Sequence, residues 1–430
     1  MGEDVIITYK AWAFSSGFGL RGKPPGSVSV LKKRVNPAAK KKDTGLILRC
    51  WNSTLLERKV MSVKNHIDLN RAIIRGESNG KVLWQPRIMC WYDDREFSHT
   101  PLPAPYTGMS IRELYEALGC SNRIYDYNAA VKRIEDPSVK RYSQPVDELR
   151  TRHVIETPVG SIDCVVRRNT SNYGEYFEKW WIETKEDMEV QMYVEANQDW
   201  EFSQEEYDRV YSIWGENGLG SIYFPRINVQ SLFHETMGIE GGIFALMDMP
   251  DVCEEYFKVK QANHDRYIKM IEKSGLEWIN YGDNIHCAIL PPKLFEKYVL
   301  PEYQRRNELL HKQGIYTFAH WDGDTKALLK YAKETGLDGI EAITPKPQGD
   351  VTLEEIKAAL GDQVGLVDGI AAILFDEIYP LKELEEQTKQ LIDLFAGKLI
   401  LGISDEMSST GNIDRIKYVG EIVDKHNAGC

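Results

Sequence analysis

From about residue 205 to the C-terminus, the hydrophobic positions switch repeatedly between two spacings. Short apolar runs such as "GSIYFPRI" (220–227), "LEWINYGDN" and "IYTFAHWDGD" read as buried strands. Segments with apolar residues three and four apart read as helices around 203–215 and over 250–274. Further helices are predicted over "PPKLFEKYVLPEYQRRNELLHKQG", with a proline inside it, and over "DTKALLKYAKETG" and "TLEEIKAALG". The last two are "LKELEEQTKQLIDLFAG" and "IDRIKYVGEIVDKHN". Strands "LDGIEAI", "QVGLVDG" and "KLILGISD" fall between them. Several helices close on Gly, which adopts a left-handed C-cap without a Cβ penalty. Strict β–α alternation implies right-handed crossovers and a parallel sheet. Five or more such units, with no Gly-x-Gly-x-x-Gly after the first strand, favour a (β/α)8 TIM barrel over a dinucleotide-binding sheet.

The first part of the chain is less regular. "MSVKNHIDLNRAIIRGE" reads as an amphipathic helix and "GKVLWQPRIMCWYDD" (80–94) as a buried strand. "SIRELYEALG" (110–119) has an N-cap Ser, a Glu three residues on and a closing Gly. Residues 150–187 differ: "RHVIETPVGSIDCVVRR" and "EYFEKWWIET" are β-rich and joined by turn signals, so an antiparallel hairpin added to the barrel is expected there. Residues 1–60 show neither period and carry twelve Lys or Arg against Glu3, Asp4, Asp43 and Glu57. This stretch is either a basic arm or transit-like peptide, or upstream sequence with Met61 as the natural start. The second is the expectation, with residues 1–60 disordered and 61–430 forming one barrel domain.

Composition narrows the class. The chain has 430 residues and a formal net charge of −12, which argues against nucleic acid as a partner. Seven Cys without a CxxC fit reduced thiols and a cytoplasmic location rather than a disulfide framework. No apolar run approaches the roughly 20 residues of a membrane span. A homodimer is left open.

In a barrel of this kind, function collects at the C-terminal ends of the strands. Those ends read Arg87 with Trp91 and Tyr92, then Arg226, then Asp283, Asn284 and His286, then His320 with Asp322 and Asp324. Glu341, Asp368, and Asp405 with Glu406 complete the ring. Burying so many polar groups unpaired costs several kcal/mol each, roughly 1–3 by protein mutational measures, so the ring calls for water, a metal or a charged ligand. His320 is the sharpest member. It can serve as a zinc ligand, a general acid/base or a structural residue. One His with two carboxylates and an open position is an accepted catalytic zinc set, which makes His320, Glu341 and Asp405 the candidate ligands. Asp322 points to the same side as His320, two residues on, and with Asp283 completes the catalytic candidates. Asp324 is expected to cap the helix after it. Arg87, Arg226, Asn284 and His286 are candidate substrate contacts, and Trp91, Tyr92 and Trp321 either stack on a ligand or pack the core. His286 with Cys287 is a weak metal pair, since neighbours in a strand face opposite ways.

The stretches "LWQPRI", "INYGDN", "FAHWDGD", "KPQGDVTLEEIKAALGD" and "LILGISDEM…DRIKYVGEIV" resemble the uroporphyrinogen decarboxylase (URO-D) superfamily, from about residue 80 to 425. That superfamily includes cobalamin-dependent methyltransferases. The "RQAGR"-type arginine cluster that holds porphyrin carboxylates is replaced here by "RIMCWYDDREF", which argues against porphyrinogen decarboxylation. The methyltransferase branch holds zinc through His-x-Cys and a later Cys. Here His320 matches the His, Asp322 stands for the first Cys, and Asp405 lies in the last strand. Oxygen-rich ligation suits an oxygen-bearing methyl donor better than a thiol. The resemblance therefore implies O-demethylation: zinc as Lewis acid on a methoxylated small molecule, and the methyl group passed to cobalamin on a partner corrinoid protein. The alternatives are a decarboxylase or lyase acting on a small carboxylic acid, and a non-catalytic ligand-binding barrel.

Overall fold

A computed structural model of the chain describes residues 65–430. The basic segment 1–60, with the expectation placed on it, lies outside the described residues. The described chain opens with a helix, Asn65–Arg75. Thirteen strands follow among the described residues: β1 (Leu83–Trp84), β2 (Val131–Glu135), β3 (Lys140–Pro145), β4 (Arg150–Thr157), β5 (Gly160–Arg168), β6 (Glu175–Lys179), β7 (Gln198–Phe202), β8 (Ile222–Phe224), β9 (Trp278–Ile285), β10 (Tyr316–Trp321), β11 (Gly339–Glu341), β12 (Gly365–Ala371) and β13 (Leu399–Ser404).

Seven of them form one parallel sheet in the order β1-β13-β12-β11-β10-β9-β8. Helices cross over between most neighbours, the β10–β11 connection excepted. Every residue of β12 and β13 is buried, the mark of parallel strands covered on both faces. The helices Leu353–Leu360, Leu381–Phe395 and Ile413–Asn427 lie where their apolar spacing placed them. The eight-strand closed ladder is not formed among the described residues. Instead the segment 121–124 reaches both sheet edges by single contacts. The Ser121 amide donates to the Trp84 carbonyl at 3.0 Å, and Ile124 makes an isolated parallel bridge to Gly220.

Three local expectations change. Only Leu83–Trp84 of the 80–94 run is strand, and Met89–Phe97 is a helix that carries Trp91 and Tyr92. The apolar run suits either state, and the Tyr92 amide bonding back to the Ile88 carbonyl at 3.1 Å selects the helix. The segment after Asp324 forms a single 3₁₀ turn, Leu329–Tyr331, rather than a helix. Asp324 does not cap it: the amides of Thr325 and Lys326 are taken by the Asp350 carboxylate at 3.0 and 3.2 Å. Finally, helical turns over Asn228–Ser231, Leu232–Thr236 and Gly238–Asp248 fill a stretch that shows no clear period in the sequence.

The β-rich insertion is broader than 150–187. Strands β3, β4, β5 and β6 form a four-stranded antiparallel sheet, and β2 pairs with β7 in a separate antiparallel ribbon. Between them, helix Lys185–Ala196 starts on a capping box built by Thr184 and Asp187. Glu195 on that helix meets Lys260 of helix Pro250–Ile271 in a buried ion pair at 3.0 Å, which ties the insertion to the main sheet.

Candidate active site

The C-terminal ends of β10 to β13, the turn after β1, and the segment 121–125 converge on one buried charge network. Parallel register does part of the work: His320 on β10 lies beside Glu341 on β11, and Asp368 on β12 beside Leu401 on β13. His320 Nδ1 bonds Glu341 Oε1 at 2.8 Å, and His320 Nε2 faces Asp405 Oδ1 at 3.7 Å. The imidazole is thus held between two carboxylates. Arg87 donates to Asp405 at 2.6 Å and pairs with Glu406 at 3.2 Å. Arg123 donates to Glu341 Oε2 at 2.9 Å and to Asp368 at 2.7 Å. The Tyr125 hydroxyl approaches Glu341 Oε2 at 3.4 Å, and its ring stacks on Tyr223 at 4.0 Å. Asp405 is the open end of this chain: its side chain is 34% exposed, against 7% for His320 and 1% for Glu341.

Backbone strain gathers at the same end. Asn284, Ala342 and Asp368 take φ of 51°, 64° and 77°, at or just beyond the ends of β9, β11 and within β12. Non-glycine residues in this region are uncommon, and such strain clusters at functional sites.

The network sets the protonation states. Burial alone would lower the His320 pKa, but the Glu341 hydrogen bond and the charges of Asp405, Glu341 and Asp322 raise it to about 9. The ring is therefore an imidazolium at neutral pH. Burial opposes ionisation of Glu341, yet Arg123 and His320 hold it well below the usual carboxylate range. Burial pushes Glu406 up to about 7 against the pull of Arg87, with Asp405 adding repulsion. Asp322 is also raised, by burial first, and one of its carboxylate oxygens is buried without a hydrogen-bond partner.

The other expected residues divide. Asp283 is fully buried with both oxygens committed, one to the Ile227 amide at 2.7 Å and one to the Tyr303 hydroxyl at 2.8 Å. It clasps the turn after β8 rather than facing a substrate. Trp321 is fully buried and packs edge-on against Phe295 at 5.4 Å, and Trp91 is buried with its indole donating to the Gly411 carbonyl at 2.9 Å. Both serve the core, and no face of either is left to stack on a ligand. Tyr92 is half-buried and reaches the Met109 carbonyl at 3.4 Å. The Asn284 carbonyl accepts from Gln230 at 2.9 Å, so its backbone does the anchoring. Arg226 and His286 stay at the mouth: His286 contributes charge to Asp322, and Arg226 to His234. Cys287 faces the Asp324 side through its amide, which bonds the Asp324 carbonyl at 2.7 Å.

Sequence reasoning missed Arg123, Tyr125, Tyr223 and His234. Arg123 lies in "SNRIYDYN", which shows neither strand nor helix spacing. Its one signal was an Arg among apolar, aromatic and amide residues, with Asp126 the one other charge in the stretch.

As a zinc set, His320, Glu341 and Asp405 do not fit. The two carboxylates sit at opposite nitrogens of one ring, Glu341 is also held by Arg123, and Asp405 by Arg87. Among the described residues no group of three or more His, Cys, Asp or Glu is arranged to hold a metal ion. A cavity of about 290 Å³ lined by Arg71, Tyr127, Tyr207 and Glu277 opens at the N-terminal ends of β8 and β9, away from this network. In parallel α/β sheets ligands bind at the carboxyl ends of the strands, the opposite end from this cavity. No described helix is long and apolar enough to cross a membrane.

Residues 240–426 match the family model of uroporphyrinogen decarboxylase (URO-D). The matched region contains His320, Glu341, Asp368 and Asp405, while Arg87, Arg123 and Arg226 lie before it. Among solved structures, the chain is similar to a methyltransferase from Methanosarcina mazei, with 12% identity, a TM-score of 0.44, and coverage of 61% of this chain and 75% of that one. It is also similar to a protein from Listeria monocytogenes described as a vitamin-B12-independent methionine synthase, with 13% identity, a TM-score of 0.38, and coverage of 80% and 96%. At these scores neither likeness carries weight below. No curated protein matches.

Proposed function

We propose that this chain is a methyltransferase of the URO-D superfamily. It moves a methyl group from a methoxylated small molecule to a corrinoid carried on a partner protein. The supporting observation is the His320 ring, held between Glu341 and Asp405 at the mouth of the parallel strands. In this reading the sheet is a (β/α)8 barrel in which 121–124 takes the eighth position.

Breaking a methyl ether leaves an alkoxide or phenoxide, a poor leaving group unless its charge is neutralised as it forms. The bound corrinoid supplies the nucleophile that accepts the methyl group. His320 supplies the proton from Nε2, beside the half-open Asp405, to the departing oxygen. Glu341 fixes the ring through Nδ1 and stabilises its charge, and Arg123 in turn fixes Glu341. Arg87 holds Asp405 in place. Asp322, with an unpartnered buried oxygen, restores the proton in this reading. Because zinc does not fit these donors, no step uses it.

A decarboxylase acting on a small acid is the second reading. It is favoured by Arg226, whose Nε is buried without a partner at the same mouth. The test incubates the chain with a panel of methoxylated aromatic and aliphatic compounds, with and without reduced cobalamin. The expected result is demethylated product that requires the corrinoid and forms roughly 10²–10⁴-fold more slowly in His320→Gln. Carbon dioxide release from the acids, without any corrinoid, sinks the methyl-transfer reading and favours the second.

A further inference from the structure

We infer that Arg226 and His234 form a carboxylate-binding subsite beside His320, so the methyl donor is an organic acid. This rests on the methyl-transfer reading for the name of the substrate, though the site itself is argued from its own residues.

Arg226 lies two residues past β8, and His286 and Asp322 lie one residue past β9 and β10. Since β8, β9 and β10 are consecutive parallel neighbours, all three residues sit at one end of the sheet. Glu235, from the turn Leu232–Thr236, reaches Arg226 at 3.4 Å, and His234 precedes it in the same turn. Electrostatic contact is continuous: Arg226 and His286 both act on His234, and His286 and His320 both act on Asp322.

Arg226 is only 6% exposed, yet its hydrogen-bonding capacity is largely unused. One terminal nitrogen reaches Glu235 at 3.4 Å, and Glu235 is itself held by Ser231 at 2.6 Å. The Nε of Arg226 and the Nε2 of His234 are both buried without a partner. A buried guanidinium with an empty donor costs free energy unless something else binds it. Arg has a planar fork that matches a carboxylate bidentately. Burial, with the Arg226 guanidinium beside it, pushes the His234 imidazole down to about 3, so the neutral ring can offer one N–H without adding charge. One guanidinium, already facing Glu235, has too little positive charge to spare for a dianionic phosphate, which leaves a monoanionic carboxylate as the better match.

The test is titration calorimetry of the full chain with a panel of two- to eight-carbon carboxylates, including 4-methoxybenzoate, each paired with its neutral amide. At least one acid should bind roughly tenfold or more tightly than its amide. That preference should vanish in Arg226→Gln and shrink in Arg226→Lys and His234→Leu. The folded state of each variant is checked by its thermal transition. If no acid is preferred over its amide, if the preference survives Arg226→Gln with the fold intact, or if inorganic phosphate outcompetes every acid, the subsite assignment is overturned. Because binding is read without turnover, failed methyl transfer with intact acid selectivity would instead count against the reaction.

Discussion

At the residue scale the site turns on one imidazole. His320 is raised to about 9 despite its burial, because Glu341 and Asp405 flank it. A group raised in the folded state stabilises that state fully below its unfolded value, about 6.5, and loses this as pH rises through the folded value. The stability contribution of His320 is therefore present at neutral pH and lost between about 6.5 and 9. Activity that uses the imidazolium should fall over the same upper limb, with an apparent pKa near 9 in kcat/KM. His320→Gln keeps a hydrogen bond to Glu341 but has no acidic proton. We expect a rate loss of roughly 10²–10⁴-fold and disappearance of the limb near pH 9. A pH–rate profile unchanged in the variant would remove His320 from proton transfer.

At the element scale, β12 and β13 hold the charge network in place by close backbone approach. A Cβ on Gly402 of β13 would collide with a carboxylate oxygen of Asp368 and lie 2.8 Å from the Gln85 carbonyl. Asp368 and Gln85 both bind Arg123, which in turn holds Glu341 against His320. Gly402→Ala should therefore cost about 1–3 kcal/mol and reduce activity together. Calorimetric melting and a rate assay on the same preparation check this. Full activity with a lowered melting temperature would show that Arg123 does not need Asp368 to position Glu341.

At the scale of the whole molecule, the insertion and the main sheet are joined through a buried charge. Glu195 accepts from Lys260 at 3.0 Å and from Asn263 at 2.5 Å, all of them out of solvent. Removing one partner strands the other. Glu195→Ala should destabilise the chain by roughly 3–5 kcal/mol, read as a drop in the denaturation midpoint. The double variant Glu195→Leu with Lys260→Met should recover much of that loss, since apolar replacements avoid the stranded charge. If the single variant is as stable as the parent, the ion pair does not fasten the insertion.

The alternation of strand and helix was legible because local period reports which face is buried. So were His320, Glu341 and Asp405 as strand-end residues, and the capping box at Ser110, which needs only a few neighbouring residues. What each polar group bonds was not legible. Arg123 meets Glu341 across 218 positions, Asp283 is claimed by Tyr303, and Asp350 takes the amides expected of Asp324. Trp91 and Trp321 became core for the same reason: burial on all sides depends on what packs against them. Short-range spacing determined the elements and the ring of candidates. Register and long-range packing decided that the ring is a paired charge network rather than a metal cage, because hydrogen-bond partners are chosen in space.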